Sequence, residues 1–206
     1  NYNSSATIGD GSCNMNSTNI YGCTDTLAVN IDTNANIDNG TCRNYVVVGD
    51  IILGGIVFYV DESGEHGLVA ALEALPGTYE WGCYQQLVEG ADGYIIGSGY
   101  QNTIDIINQG CSSESGNITA AQAAINYEAE GYTNWYLPSY NELLLMCNNI
   151  ISSDLINLTS INSFEYWSST ELSSQKAIGF NSDPFNAHDL PGVKMMEASV
   201  CPIRSF

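Results

Sequence analysis

Seven cysteines, Cys13, Cys23, Cys42, Cys83, Cys111, Cys147 and Cys201, constrain this chain more than any other feature. None forms a Cys-x-x-Cys pair and none clusters with histidine at zinc-ligand spacing, so a structural metal site accounts for them poorly. An oxidised extracellular protein accounts for them better. The odd number is explained by an internal repeat. "NYNSSATIGDGSC" (1–13) aligns without gaps on "NIDTNANIDNGTC" (30–42), matching Asn, Ala, Ile, Gly and Cys at a period of 29 residues. The second copy has its opening cysteine at Cys23, in "YGCTD", so Cys23–Cys42 is the preferred bridge and Cys13 has its partner upstream of residue 1. The rival pairing is Cys13–Cys23, leaving Cys42 over.

The repeat material occupies residues 1–44 and is rich in Asn, Asp, Ser and Thr. It has too few large apolar groups for a core, so disulfides or bound ions must hold it. Within it, Asp32, Asn34, Asn36 and Asp38 place oxygens at alternate positions, followed by Gly40, and Asp25 adds another. Hard cations such as Ca2+ take such a set. The glycine that turns an EF-hand loop is missing at the sixth position, and the first repeat keeps only Asn3 and Asp10 of comparable groups. The competing reading is that these side chains cap Asx turns.

Residues 45–206 form a second domain with a different composition. "YVVVGDIILGGIVFYVD" and "HGLVAALEAL" read as strands, with a hairpin turn at Asp61-Glu62-Ser63-Gly64. Residues 84–116 carry six glycines and read as a long loop, which a Cys83–Cys111 bridge would restrain. Two helices are expected. One lies in "NITAAQAAINYEAEGY", capped by Thr119 and ended by Gly131. The other follows Pro138, where Ser139 and Glu142 form a capping box and Leu143, Leu144 and Cys147 supply a buried stripe. "NWYLPSYNEL" therefore reads as a brace rather than as the setting of a catalytic Glu142. "FEYWSSTE", "KAIGFN" and "SVCPIRSF" read as strands, the last two separated by the turn-rich "NSDPFNAHDLPG".

Charge removes several classes of partner. Against 23 acidic residues stand only Arg43, Lys176, Lys194 and Arg204, a formal net charge of −19. Nucleic acid, anionic membrane and heparin-like polymers all require a basic footprint. No apolar run reaches the length of a membrane-spanning helix. The chain opens on Asn-Tyr-Asn-Ser-Ser without a signal peptide and is expected to be a mature or trimmed part of something longer.

"GDIILGGIVFYVDESGEHGLVAA", "WGC", "GADGYIIGSGYQNTIDI", "GYTNWYLPSYNELLLM", "YWSSTE" and "PIRSF", in that order, resemble the DUF1566 family over about residues 48–206. That family is related to the C-terminal domain of the Legionella collagen-like adhesin and is common in secreted proteins of marine Bacteroidota. The N-terminal unit resembles short repeats found beside such domains. The resemblance implies an α+β, C-type-lectin-like domain, with two helices on a twisted antiparallel sheet and ligands met on irregular loops. It implies adhesion or ligand binding and supplies no catalytic residue. Where relatives tend to have Tyr and Arg, this chain has Cys147 and Cys201, which suggests a private disulfide. The adhesin's sulfated polysaccharide is not carried over, because the basic residues it needs are missing.

Calcium-dependent lectins use Glu-Pro-Asn or Gln-Pro-Asp with Trp-Asn-Asp, and only a faint echo exists here in Asp183-Pro184-Phe185-Asn186. Asn181, Asp183, Phe185, Asn186, His188 and Asp189 form a candidate ligand surface, against the reading of an ordinary polar loop. Trp81, Trp135 and Trp167 are expected in the core rather than stacked on sugars. His66 and His188 lack a triad context. Asp25-Thr26-Leu27 resembles a Bacteroidota O-glycosylation tripeptide.

The leading expectation is a non-enzymatic, secreted or cell-surface binding module that recognises a glycan or protein. The alternative is a structural subunit of an extracellular filament or surface layer, using Cys13, the truncated repeat and the apolar strands for self-association. A formylglycine-generating-enzyme-like oxidase with Cys147 and Cys201 as its reactive pair is disfavoured by their apolar flanks.

Overall fold

β-branched and aromatic residues set between turn-forming glycines build short strands, and that is what the chain contains. The computed structural model describes residues 19–151, 165–181 and 188–206. Two compact units are present, Asn1–Tyr45 and Val46–Phe206. The first repeat, with Asn3, Asp10 and Cys13, lies outside the described residues.

In the first unit, β1 (Tyr21–Gly22) pairs in parallel with β2 (Ile37–Asp38). Cys23 is bonded to Cys42, with the Cα atoms 4.8 Å apart. Cys23 and Ala28 are buried, while Tyr21, Leu27 and Tyr45 face solvent. A covalent link thus takes the place of a core, as the composition demands. Gly22 is needed for close approach: a Cβ there would lie 2.9 Å from the Asp32 carboxylate.

The second unit is a mixed α+β fold with mostly antiparallel sheets. Its strands are β3 (Ile51–Ile52), β4 (Gly55–Val60), β5 (Gly67–Ala71), β6 (Tyr79–Glu80), β7 (Glu165–Ser173), β8 (Lys176–Asn181), β9 (His188–Val193), β10 (Glu197–Ala198) and β11 (Ile203–Ser205). One sheet has the order β11-β5-β4-β3 and the second β7-β8-β9, while β6 pairs with β10. This differs from the single sheet expected. The β8–β9 hairpin also makes a strand of the second half of the segment expected to be loop.

Among the described residues three α-helices form rather than two: α1 (Gly99–Asn108), α2 (Ala120–Ile125) and α3 (Tyr140–Met146), the last running into a π-helical turn at Cys147–Ile151. Helix α1 falls in the region expected to be loop. Its buried face is Gly99, Asn102, Thr103 and Ile106, spaced correctly for a helix but mostly polar, so no apolar stripe marks it. Asn102 is satisfied at Gly93, donating to its carbonyl at 2.7 Å, and Thr103 Oγ1 donates to Gly99 O at 2.8 Å. Helix α2 starts as expected, with Thr119 Oγ1 accepting from Gln122 N, a cap worth about 1 kcal/mol. It stops at Ile125, short of Gly131. Glu130 and Gly131 both take positive φ in a tight turn bridging Ala129 to Tyr132, which packs Tyr127 edge-on against Trp135 at 5.1 Å.

Two apolar clusters fill the unit. One joins the four-stranded sheet to α3 through Ile56, Phe58, Val69, Trp135, Leu143 and Met146. The other packs α1 and α2 on Trp81, Trp167 and Val200. All three tryptophans are interior, and each indole N–H donates to a main-chain carbonyl: Trp81 to Ser168, Trp135 to Tyr132 and Trp167 to Tyr79.

Half of the scarce positive charge is also interior. Lys194 is fully buried, with its ammonium over the Trp81 ring at 4.6 Å. It donates to Gln86 O at 2.7 Å and to the Glu171 carboxylate, which in turn accepts from Val88 N at 2.9 Å. Burial pulls the lysine below its ordinary value and the carboxylate partly restores it. Arg204 lies 4.0 Å above the Tyr132 ring and donates to Leu53 O at 3.1 Å. Two of the four cations are therefore withdrawn from the surface.

Candidate functional site

Ser139 and Glu142 form the reciprocal capping box: Ser139 Oγ accepts from Glu142 N, and Glu142 Oε2 accepts from Ser139 N at 2.7 Å. The same carboxylate then reaches a second helix. Oε1 accepts from Gly97 N at 2.7 Å, and Gly99 N also donates to it. Ser98, at the N-cap of α1, makes no side-chain cap bond, so Glu142 caps both helices. Gly99 is obligatory, since a Cβ there would lie 2.2 Å from Oε2. Burial pushes the Glu142 carboxyl up, and the N–H groups of Ser139, Gly97 and Gly99 offset only part of that rise.

The brace continues along residues 93–99. Ile95 O accepts from Ser98 N at 3.1 Å, Ser98 Oγ at 2.6 Å and Ser139 Oγ at 2.9 Å. Asn141 N donates to Tyr94 O at 3.1 Å, and the Tyr94 and Tyr140 rings meet edge-on at 6.0 Å. Thr170 Oγ1 donates to Gly93 O at 2.8 Å. The loop backbone is thus fixed at five residues. Its side chains point the other way: Ile95 is 69% exposed, Tyr100 50% and Ile96 40%. The loop thus holds two adjacent isoleucines and a tyrosine partly in water.

Beside this loop opens a groove of about 510 Å³, lined by Tyr59, Asp61, His66, Ile96, Tyr100 and Phe206 among others. Behind Tyr100 sits Tyr136, buried and edge-on to it at 5.6 Å. Burial raises the Tyr136 phenol, and its hydroxyl is hydrogen-bonded to Ser205. Asp61 Oδ1 accepts from Ser63 N, Ser63 Oγ and Gly64 N, which closes the hairpin turn. The Ser63 hydroxyl is the chief reason that its carboxyl is held below the ordinary value. Sequence reasoning missed this groove, because its lining comes from five separate segments. One local signal existed: adjacent isoleucines in the Gly- and Ser-rich "GYIIGSGY".

The residues expected to bind calcium serve turns. Asp25, Asp32 and Asp38 each use Oδ1 to accept from the backbone N–H two residues on, and Asn36 Oδ1 accepts from Ile20 N at 3.1 Å. Asn34 supplies its backbone N–H to Asp32. Among the described residues no three carboxylate, imidazole or thiolate groups converge where a metal could sit. Thr26 is exposed on the Asp25–Leu27 turn.

Of the other expected ligand surface, Asn181 and His188 pair across the β8–β9 hairpin, as do Phe180 and Asp189. Asp183, Phe185 and Asn186 lie outside the described residues. Cys83 is bonded to Cys111, with the Cα atoms 4.7 Å apart. Cys147 and Cys201 form no disulfide, which corrects the third expected bridge. Both lie in the apolar cluster against α3, where burial pushes their thiols up, Cys201 to about 12, and Cys201 Sγ contacts Ala71 O at 3.8 Å. The two disulfides fit a surface or extracellular setting. Among the described residues no helix is long and apolar enough to cross a membrane.

No family model and no curated protein matches the chain. Among solved structures it is similar to a fimbrial protein from Bacteroides ovatus ATCC 8483, at 16% sequence identity and a TM-score of 0.47. The match covers 82% of this chain and 46% of the fimbrial protein, so the chain spans less than half of that protein's length.

Proposed function

We propose that Val46–Phe206 is a non-enzymatic, extracellular binding module of DUF1566 and C-type-lectin-like type, presented on the disulfide-linked repeat unit. Its contact surface is the braced loop Tyr94–Tyr100 together with the adjoining groove. One observation carries this reading: hydrogen bonds hold the loop backbone at Ile95 and Gly97 while Ile95, Ile96 and Tyr100 remain in solvent. Such preorganisation lowers the entropy lost on binding. Protein loops that carry function are held by a rigid scaffold in this way.

The test is binding of the labelled full chain to intact cells, matrix proteins and immobilised polysaccharides, beside Ile95→Asp and Ile96→Asp. Both positions are exposed, so the variants keep their fold, checked by circular dichroism. Binding by the parent that falls at least roughly tenfold in the variants supports the reading, as expected for a lost apolar anchor. Equal binding by parent and variants, or none by the parent, overturns it.

A further inference from the structure

Resting on that reading, we propose that the groove beside the loop takes the ring of a neutral saccharide, stacked on Tyr100, with its hydroxyls bonded by Asp61 and His66. The volume of about 510 Å³ falls among small-ligand sites, which span about 300–1,000 Å³. Tyr100 is half exposed and backed edge-on by the buried Tyr136 at 5.6 Å, so its ring is already ordered. Tyr59 and Phe206 add further aromatic surface to the lining.

The polar groups stand singly among the aromatic rings. Asp61 Oδ1 takes the Ser63 and Gly64 bonds and the His66 backbone N–H also serves the carboxylate, which keeps further lone pairs on its second oxygen. The exposed His66 imidazole has no hydrogen-bond partner among the described residues. Aromatic faces set beside single acceptors and donors match a sugar ring, whose C–H face is apolar and whose rim carries hydroxyls.

Two rival ligands fit less well. No lysine or arginine lines the groove and Asp61 is a carboxylate, so a uronic, sialic or sulfated sugar meets like charge. A peptide that binds by strand addition needs a row of open backbone groups. Here Gly67 and Phe206 exchange N–H···O bonds at 3.2 and 3.1 Å, Asp61 N donates to His66 O, and Gly97 N is held by Glu142. The main chain is already occupied.

Saturation-transfer NMR on the full chain separates these ligands. The probes are cello-, malto-, manno- and N-acetylchitotetraose, the acidic alginate tetrasaccharide, and a lysine- and leucine-containing hexapeptide. The expected result is transfer to ring C–H protons of at least one neutral tetrasaccharide and none to alginate. Tyr100→Ala should weaken that affinity roughly tenfold or more, Tyr100→Phe and His66→Ala by about threefold. Binding of the peptide alone, lost in Tyr100→Ala, overturns the saccharide assignment and leaves the binding-module reading standing. Binding of alginate, or of no probe, overturns the assignment. Neutral-sugar binding unchanged in Tyr100→Ala places the ligand elsewhere and overturns this site.

Discussion

Replacing Lys194 by Met tests how loop 83–91 is locked to the three-stranded sheet. The methionine keeps most of the aliphatic stem of Lys194, so little cavity opens and the loss is electrostatic, including the ammonium's contact with the Trp81 ring. Two further losses and one offset enter. Glu171, 6% exposed, becomes an uncompensated buried carboxylate, and orphaning one partner of a buried pair costs about 3–5 kcal/mol. Gln86 O and Cys83 O lose the ammonium donor. Val88 N continues to donate to the carboxylate and offsets part of the deficit. A net destabilisation of about 4 kcal/mol follows, a large fraction of the 5–15 kcal/mol typical of a domain. At about 2–4 °C per kcal/mol, Tm falls by roughly 8–16 °C. Urea unfolding followed by tryptophan emission measures it, since all three indoles are buried. Glu171→Met alone should cost a similar amount by leaving the ammonium without a counter-charge, held by Gln86 O and Cys83 O. The double variant loses both charges and leaves chiefly Val88 N unsatisfied, a cost of about 1–3 kcal/mol. It should therefore be more stable than either single variant. A Lys194→Met loss under about 1 kcal/mol, or a double variant equal to the sum of the singles, would refute the reasoning.

The Glu142 carboxyl lies above its ordinary 4.5 in the folded chain, so folding favours its protonated form. The penalty for ionising it is absent below 4.5 and grows as pH rises through the folded value, and its contribution to stability falls in that direction. Glu142→Gln abolishes this dependence but leaves an N–H facing an amide, costing about 1–3 kcal/mol at acid pH, where the parent carboxyl is neutral; unfolding curves from acid to neutral pH check both. Faster amide exchange at Gly97 and Gly99 in that variant reports the loss of the shared cap. Cys147 and Cys201 should resist thiol reagents in the folded chain and react only on unfolding, and rapid native labelling of either would contradict their burial. Calorimetric titration with millimolar Ca2+ decides the calcium reading: a saturable signal lost in Asp32→Asn supports it, and no heat leaves the Asp25, Asp32 and Asp38 carboxylates to their Asx turns alone.

What was legible in the sequence was local. The Ser139–Glu142 box and the Thr119 cap are four-residue patterns whose geometry follows from the residues themselves. The Cys23–Cys42 link came from the repeat. Helix α1 was hidden because its inward face is polar, and because its cap is a carboxylate 45 residues from Gly97. Its partners appear only after folding. The burial of Lys194 was equally invisible, since neither Glu171 nor the carbonyls of the Cys83 loop is near it in sequence. The missing third bridge has a different lesson: two cysteines in one apolar cluster satisfy packing as thiols, so shared burial does not imply a bond.

The loop at Tyr94–Tyr100 is gripped through main-chain atoms: the carbonyls of Tyr94 and Ile95 and the amides of Gly97 and Gly99. Only the two glycines are demanded by shape, Gly97 by its φ of +95° and Gly99 by the space at its Cα. Positions 95 and 96 are therefore open to almost any residue without altering the path of the chain. If the loop is the contact surface proposed above, a change of target needs only two exposed side chains, with the supporting framework left untouched.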